Sequence, residues 1–313
     1  MSGVITQVAV GVIKNNRNEI LISKRADHVH QGGVWEFPGG KIEPEETARH
    51  ALARELKEEL GIDCLSIKPL IDIEYDYGDK KVCLITFIVD RFSGQPAGRE
   101  GQKIQWVAES ELSDYSFPAA NLVIMHKLQL PEWIQITGQY HTVDDLIMKS
   151  EHCIRNGVNM INFRAHHLDD ALYEQHARQL KQLCNDHGVR LIINRNLALF
   201  EKIDADGLHV NSVEVKKYSS RPVDDEKYFS VSCHHIAELS NAQILGADYC
   251  LLSPVRRAIS HDAGDPLGLQ VFEQYCKQVN ISVYALGGMY KEDIGRVQEL
   301  GGAGIATVSE FWV

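Results

Sequence analysis

The sequence predicts two domains of different fold class: an α+β domain with a mixed sheet and helices over residues 1–130, then a (β/α)₈ barrel lacking a clear eighth helix. Three observations lead there. The 313 residues exceed the roughly 150 of a typical single domain. Apolar runs and helical stretches alternate irregularly up to residue 128, then regularly after 133. Pro131 stands between the two patterns. Residues 131–136 are read as linker and start of the first barrel strand, and 137–313 as the barrel.

In the first part, residues 4–13 alternate toward a strand, and a second strand at 19–24 follows the turn-like Asn15-Asn16-Arg17-Asn18. Residues 46–60 carry a helical period stopped by Gly61. Strands are expected at 74–77, 82–92 and 105–107, and a closing helix at 119–128. Beyond Pro131, short apolar runs fall at 133–137, 160–163, 191–193, 207–209, 229–231, 249–252, 283–285 and 304–307. Amphipathic stretches at 143–156, 169–187, 236–245, 267–279 and 291–300 separate several of them. Eight buried strands with helical crossovers predict the TIM-barrel arrangement. Six residues follow the last strand, too few for another helix.

Composition narrows the function. With 32 Lys+Arg against 43 Asp+Glu the formal charge is −11, which argues against a basic groove for duplex nucleic acid. A small anionic substrate stays compatible, because a bound cation inverts the local field. No apolar run is long enough for a membrane helix and no leader-like start is visible, so a cytoplasmic, membrane-free protein is expected. The seven Cys are scattered, without a C-x-x-C pair, which fits reduced thiols.

The chemistry concentrates on the helix at 46–60. At about 100° per residue, Ala48, Leu52 and Leu56 form an apolar stripe, and Glu59 falls near its middle. Glu55 lies on the same side, and Glu58 one step further toward the polar face. A solvated charge ladder with Arg49, Arg54 and Lys57 explains the outer positions. It does not explain Glu59, because a carboxylate on a core-facing stripe is costly unless paired or metal-bound. Neighbouring carboxylates also repel, and a hard divalent cation relieves that repulsion. From spacing alone, a metal site and a salt-bridge cluster both stay open. Phe37-Pro38-Gly39-Gly40 reads as a tight loop feeding the helix, where glycines let the backbone approach a ligand.

The stretch Gly40-(five)-Glu46-(seven)-Arg54-Glu55-Leu56-Lys57-Glu58-Glu59-Leu60-Gly61-Ile62 matches the Nudix box at every defined position, and residues 3–128 resemble the MutT branch of that family. The resemblance implies a metal site of Glu55, Glu58, Glu59, the Gly39 carbonyl and Glu100, the last from Gly98-Arg99-Glu100-Gly101-Gln102. It implies Mg²⁺, with Mn²⁺ as the alternative ion, and attack of water on the β-phosphorus of a nucleoside triphosphate such as 8-oxo-dGTP. Glu55 or Glu100 would take the proton, and Arg54 would orient the glutamates. Arg25, His30 and Gly40 would contact substrate. Asn121, in Phe117-Pro118-Ala119-Ala120-Asn121, would read the purine edge beside Phe37. Lys80 stands where MutT carries an Arg, so the planar fork is lost there.

Residues 134–313 resemble thiamine-phosphate synthase and its relative TenI, through segments such as Gly157-Val-Asn-Met-Ile-Asn-Phe-Arg164, Ala205-Asp-Gly-Leu-His-Val210 and Gly246-Ala-Asp-Tyr249. That resemblance implies phosphate contacts at Arg164, Gly287, Gly288, Val308 and Ser309, and puts His234 at the TenI tautomerase position. The departures are specific. Arg195 stands where the synthase has a Mg²⁺-binding Asp, and Ala165-His166-His167 replaces an expected Lys. The run Arg256-Arg257-Ala258-Ile259-Ser260-His261 lacks Thr-x-Thr-Lys character, and no second acidic ligand is evident near Asn211-Ser212. Loss of synthase activity is therefore expected.

The leading expectation is a nucleotide-pool-cleansing Nudix pyrophosphohydrolase. The alternatives are a Nudix enzyme of thiamine metabolism, with the barrel holding a pathway phosphate or acting as a tautomerase, and a barrel that only docks. Without an eighth helix the barrel wall needs a cover, from the first domain or a second subunit.

Overall fold

The computed structural model describes residues 5–29, 31–257 and 265–312. His30 and the 258–261 part of the loop noted above lie outside the described residues. The chain divides into two compact units between Gln129 and Leu130.

The first unit is built on β1 (Thr6–Lys14) and β2 (Glu19–Lys24), an antiparallel pair. Their turn is closed by Asn15, whose Oδ1 accepts from the amides of Arg17 at 2.8 Å and Glu19 at 3.0 Å. Then come β3 (Trp35–Glu36), β4 (Gly39–Lys41), α1 (Ala48–Glu59), β5 (Asp63–Asp76), β6 (Lys81–Ser93), β7 (Ile104–Ala108) and α2 (Ala119–Gln129). β1 pairs parallel with β6 and antiparallel with β2 and β4, so the sheet is mixed. α1 covers one face, with Ala51, Leu52 and Leu56 packed among Ala9, Ile13, Leu21 and Val89. α2 covers the other, with Ile124 and Met125 among Val10, Val12, Ile20 and Leu84.

Two features depart from the sequence expectation. The glycine pair is not a loop but part of β4, paired across β1 as Val10↔Gly39 and Ala9↔Gly40. β5 begins at Asp63 rather than near residue 74, because three register shifts between Cys64 and Ile71 erase its alternation.

In the second unit eight parallel strands close on themselves. They are β8 (Trp133–Ile136), β9 (Met160–Phe163), β10 (Arg190–Ile193), β11 (Gly207–Val210), β12 (Tyr228–Cys233), β13 (Tyr249–Leu252), β14 (Ser282–Leu286) and β15 (Gly304–Thr307). Ile136, Met160, Ile192, Tyr249 and Tyr284 fill the interior. The surrounding helices are α3 (Val143–Arg155), α4 (Asp170–Asp186), α5 (Leu197–Ile203), α6 (Ile236–Ile244), α7 (Gly268–Cys276) and α8 (Ile294–Glu299). α5 escaped the sequence reading because seven residues are too short for a periodic signal. Its clearer mark is Asn196, whose side chain caps it by accepting from the Leu199 amide at 3.0 Å.

The barrel wall at β8 is covered by the chain's own last described residues. The Phe311 ring stands 4.7 Å from that of Trp133, and Trp312 Nε1 donates to the Gln139 carbonyl at 2.8 Å. The Lys291 ammonium lies 5.3 Å from the Trp133 ring and 5.9 Å from the Phe311 ring. Trp133 is buried there. Among the described residues, no helix is long and apolar enough to cross a membrane.

Candidate active site

α1 starts at Thr47, whose side chain accepts from the His50 amide at 3.3 Å. Arg54 then ties the helix to what precedes it. Its Nε and Nη2 reach Glu46 at 3.1 and 2.9 Å, and Nη2 also donates to the Lys41 carbonyl at 3.1 Å. Its Nη1 donates to Glu55 at 2.9 Å and Glu58 at 3.3 Å. These charge-assisted bonds hold the guanidinium firmly protonated and the Glu46 carboxyl below its usual range. Glu58 remains on the exposed side of the helix.

Glu59 turns the other way and is half-buried. Burial is the main reason that its carboxyl is pushed up to about 8; the charges of Glu55, Glu36 and Glu100 add to it, and a hydrogen bond from the Gly39 backbone opposes it. Among the described residues no cationic side chain pairs with Glu59. Glu36 is raised too, by burial first, although the Arg25 guanidinium sits against its carboxylate.

The glycines make this packing feasible. A Cβ on Gly40 would lie 2.1 Å from the Glu55 carboxyl carbon. One on Gly39, where φ is 153°, would lie 2.1 Å from the Ala9 carbonyl oxygen.

Glu100 comes from a loop pinned to the end of α1. The Arg99 amide donates to the Glu59 carbonyl at 2.9 Å. Gln102 makes a second tie: its Nε2 donates to the same carbonyl at 3.1 Å, and its Oε1 accepts from the Glu100 amide at 2.9 Å. One carboxamide thus links the backbones of two acids distant in sequence.

The acids do not fully converge as spacing on the helix suggested. Among the described residues no three carboxylates stand close enough to ligate one ion as placed, and Arg54 holds Glu55 and Glu58 to its own side. The donor set still fits a hard divalent cation. A half-buried carboxylate surrounded by three further acids, with no cation of its own, is an electrostatic imbalance that such an ion corrects.

Phe37 is buried and stacks on Phe117, with centroids 5.4 Å apart and planes at 28°. Asn121 is buried as well, and its Oδ1 accepts from the Phe37 amide at 3.2 Å. That bond engages the oxygen end of the carboxamide. Lys80 lies in the turn between β5 and β6, where its carbonyl accepts from the Tyr77 amide at 2.9 Å. Sequence reasoning missed Glu36 and Gln102. An acid between Trp35 and Phe37 was the available signal for the first; nothing local marks the second.

In the barrel, the singled-out residues all follow the C-terminal ends of strands, the face on which such barrels carry ligands. The backbone of Arg164 is clasped by Thr137, its amide donating to Oγ1 at 2.8 Å and its carbonyl accepting from Oγ1 at 3.0 Å. Gly287 and Gly288 follow β14 with φ of 96° and 59°. After β15, the Val308 carbonyl accepts from Gln135 Nε2 at 2.9 Å, and Ser309 is exposed. His234 Nδ1 lies 2.7 Å from the Ser253 carbonyl, so Nδ1 carries a proton.

Comparison with known proteins agrees with both halves. The NUDIX domain model matches residues 9–127, and the thiamine monophosphate synthase model matches 134–311. The first half is 42% identical over 123 residues to an 8-oxo-dGTP diphosphatase of Escherichia coli, covering 95% of that protein and 39% of this chain. The chain belongs to both families. The Nudix unit makes it a hydrolase of phosphoric anhydrides. A solved MutT structure, from a study of the Aliivibrio salmonicida and Vibrio cholerae proteins, is 38% identical, covers 40% of this chain and 97% of its own, and gives a TM-score of 0.37. For the synthase-family barrel, a thiamine-phosphate synthase of Shouchella clausii is 29% identical over 179 residues, 56% of this chain and 86% of that protein.

Proposed function

We propose that the Nudix unit is a Mg²⁺-dependent pyrophosphohydrolase that converts 8-oxo-dGTP to 8-oxo-dGMP and pyrophosphate. The observation that carries the reading is Glu59, half-buried, its carboxyl raised by burial first and then by the charges of Glu55, Glu36 and Glu100, in the setting of an intact box. Glu55, Glu58, Glu59, Glu100 and the Gly39 carbonyl are the groups that would hold the ion. Bound there, it neutralises phosphate charge and lowers the pKa of the attacking water. Arg54 fixes Glu55 against the helix, so that this carboxylate, or Glu100, receives the proton from water at a set position. Arg25 shares its guanidinium between Glu36 and a substrate phosphate. Asn121 and Phe37 hold the purine. A role in cleansing the nucleotide pool places the protein in the cytoplasm, in keeping with its seven free cysteines.

Steady-state kinetics test the base preference. Efficiency with 8-oxo-dGTP should exceed that with dGTP by at least about tenfold, and Asn121→Ala should shrink the ratio, since one lost base-reading pair is worth about 1–3 kcal/mol. Equal efficiency for the two nucleotides in the parent enzyme would refute the sanitising role.

For the barrel we infer loss of the synthase reaction, because the Arg195 guanidinium replaces the acid that would hold Mg²⁺ at the diphosphate. Formation of thiamine phosphate from hydroxymethylpyrimidine diphosphate and thiazole phosphate should stay at the protein-free level. Turnover well above that level would overturn the inference.

A further inference from the structure

The loop between β6 and β7 carries Glu100 and is fastened to the C-terminal end of α1. The last carbonyls of a helix have no donor within the helix and must find one elsewhere. Here the loop backbone provides it. The Ala97 amide donates to the Leu60 carbonyl at 3.1 Å, and the Arg99 amide to the Glu59 carbonyl at 2.9 Å. The Arg99 side chain lies over Gly61, where a Cβ would stand 2.3 Å from its Nε. Main-chain bonds alone therefore satisfy these two carbonyls.

Gln102 adds a link that capping does not require. Its Nε2 donates to the Glu59 carbonyl at 3.1 Å, a second bond to an oxygen that already has one. Its Oε1 accepts from the Glu100 amide at 2.9 Å. Both ends of one half-buried side chain thus engage the backbones of two acids from different elements.

Glu100 needs such a restraint. It is exposed, and the next residue, Gly101, has φ of 83°. The Gly101 amide donates to the Gly98 carbonyl at 3.3 Å, which closes the loop tip. That turn is tight, since a Cβ on Gly98 would lie 1.9 Å from the Gln102 carbonyl oxygen. It fixes Glu100 within its own loop but not relative to α1. With the Arg99 amide as the single tie to the Glu59 carbonyl, the tip could pivot about that bond. The carboxamide gives it a second point of attachment.

We propose that Gln102 is a positioning residue of the hydrolase, its carboxamide holding Glu100 in place beside Glu59 so that both acids are available to the same divalent cation. The proposal rests on the Nudix reading above. In this role Gln102 touches neither substrate nor metal and acts through Glu100. Partners that orient metal-holding groups in this way typically matter by about 10–100-fold in metal affinity or turnover.

Calorimetric titration of the full chain with Mn²⁺ in the absence of nucleotide, and steady-state kinetics with 8-oxo-dGTP at saturating Mg²⁺, test it. Gln102→Met keeps the length of the side chain and removes both bonds. It should weaken Mn²⁺ binding and lower kcat, each at least about tenfold, while KM moves by less than about threefold. Gln102→Asn keeps the amide but is one methylene too short to span both backbones, and should behave alike. In EDTA both variants should melt with the parent, because the Ala97 and Arg99 amides still fasten the loop. Glu59→Gln provides the reference for a lost metal site. If Glu59→Gln loses Mn²⁺ and the folded Gln102 variants match the parent, the positioning role is overturned and the Nudix reading stands. If Glu59→Gln binds Mn²⁺ as the parent does, both are overturned. A rise in KM at unchanged kcat would also overturn the proposal, because it would put Gln102 at the nucleotide rather than behind Glu100.

Discussion

Replacing Glu59 by Gln should lower kcat for the nucleotide at least about a hundredfold, the order of effect of removing a metal-holding carboxylate. The substitution keeps the shape that packs beside Gly39 and removes only the charge. It should therefore separate chemistry from folding, and stability supplies the second readout. The parent's Glu59 carboxyl is raised from 4.5 to about 8. A raised carboxyl contributes stability in its protonated form, fully present below the unfolded value and lost as pH climbs through the folded one. In EDTA the parent should accordingly lose stability between about pH 5 and pH 8, by on the order of 2 kcal/mol once partial solvent access is allowed for. The Gln variant should lack that component. Denaturant melts at both pH values check it. Activity within a factor of a few of the parent would remove Glu59 from the metal set, and identical pH slopes would show that its burial costs nothing.

The second large effect is expected at Gly39. Its φ of 153° and the 2.1 Å approach of a built Cβ to the Ala9 carbonyl leave no side chain to move aside. Gly39→Ala must push β4 away from β1 across the Val10↔Gly39 and Ala9↔Gly40 pairs. We expect a stability loss of about 2–4 kcal/mol together with loss of activity. Gly40→Ala is the contrasting variant. Its clash is with the far end of the Glu55 side chain, which can swing, so activity should fall while the melting temperature stays near that of the parent. Equal melting temperatures for the Gly39 variant and the parent would contradict the packing argument.

These two residues also mark what was legible in the sequence. Helical period put Glu59 on the apolar face of α1, and the structure half-buries it there. The glycines were read as a loop and turned out to be a strand, because a three-residue strand has no periodic signature and its pairing partner β1 is remote in the chain. In the barrel, all eight strands were legible from apolar runs bounded by breakers. The cover supplied by Phe311 and Trp312 was not, since a Trp ring can lie against Gly138 only once the barrel has closed.

By itself the sequence determined the period of each long element and the identity of the acids on one helix, because both are local facts of the chain. Only the tertiary structure decided which acids carry the strain. Glu36 and Glu100 press on Glu59 from separate elements, and Gln102 joins the loop of one to the helix of the other. Desolvation and Coulomb repulsion depend on distance in space, and folding sets those distances between residues that the sequence keeps far apart.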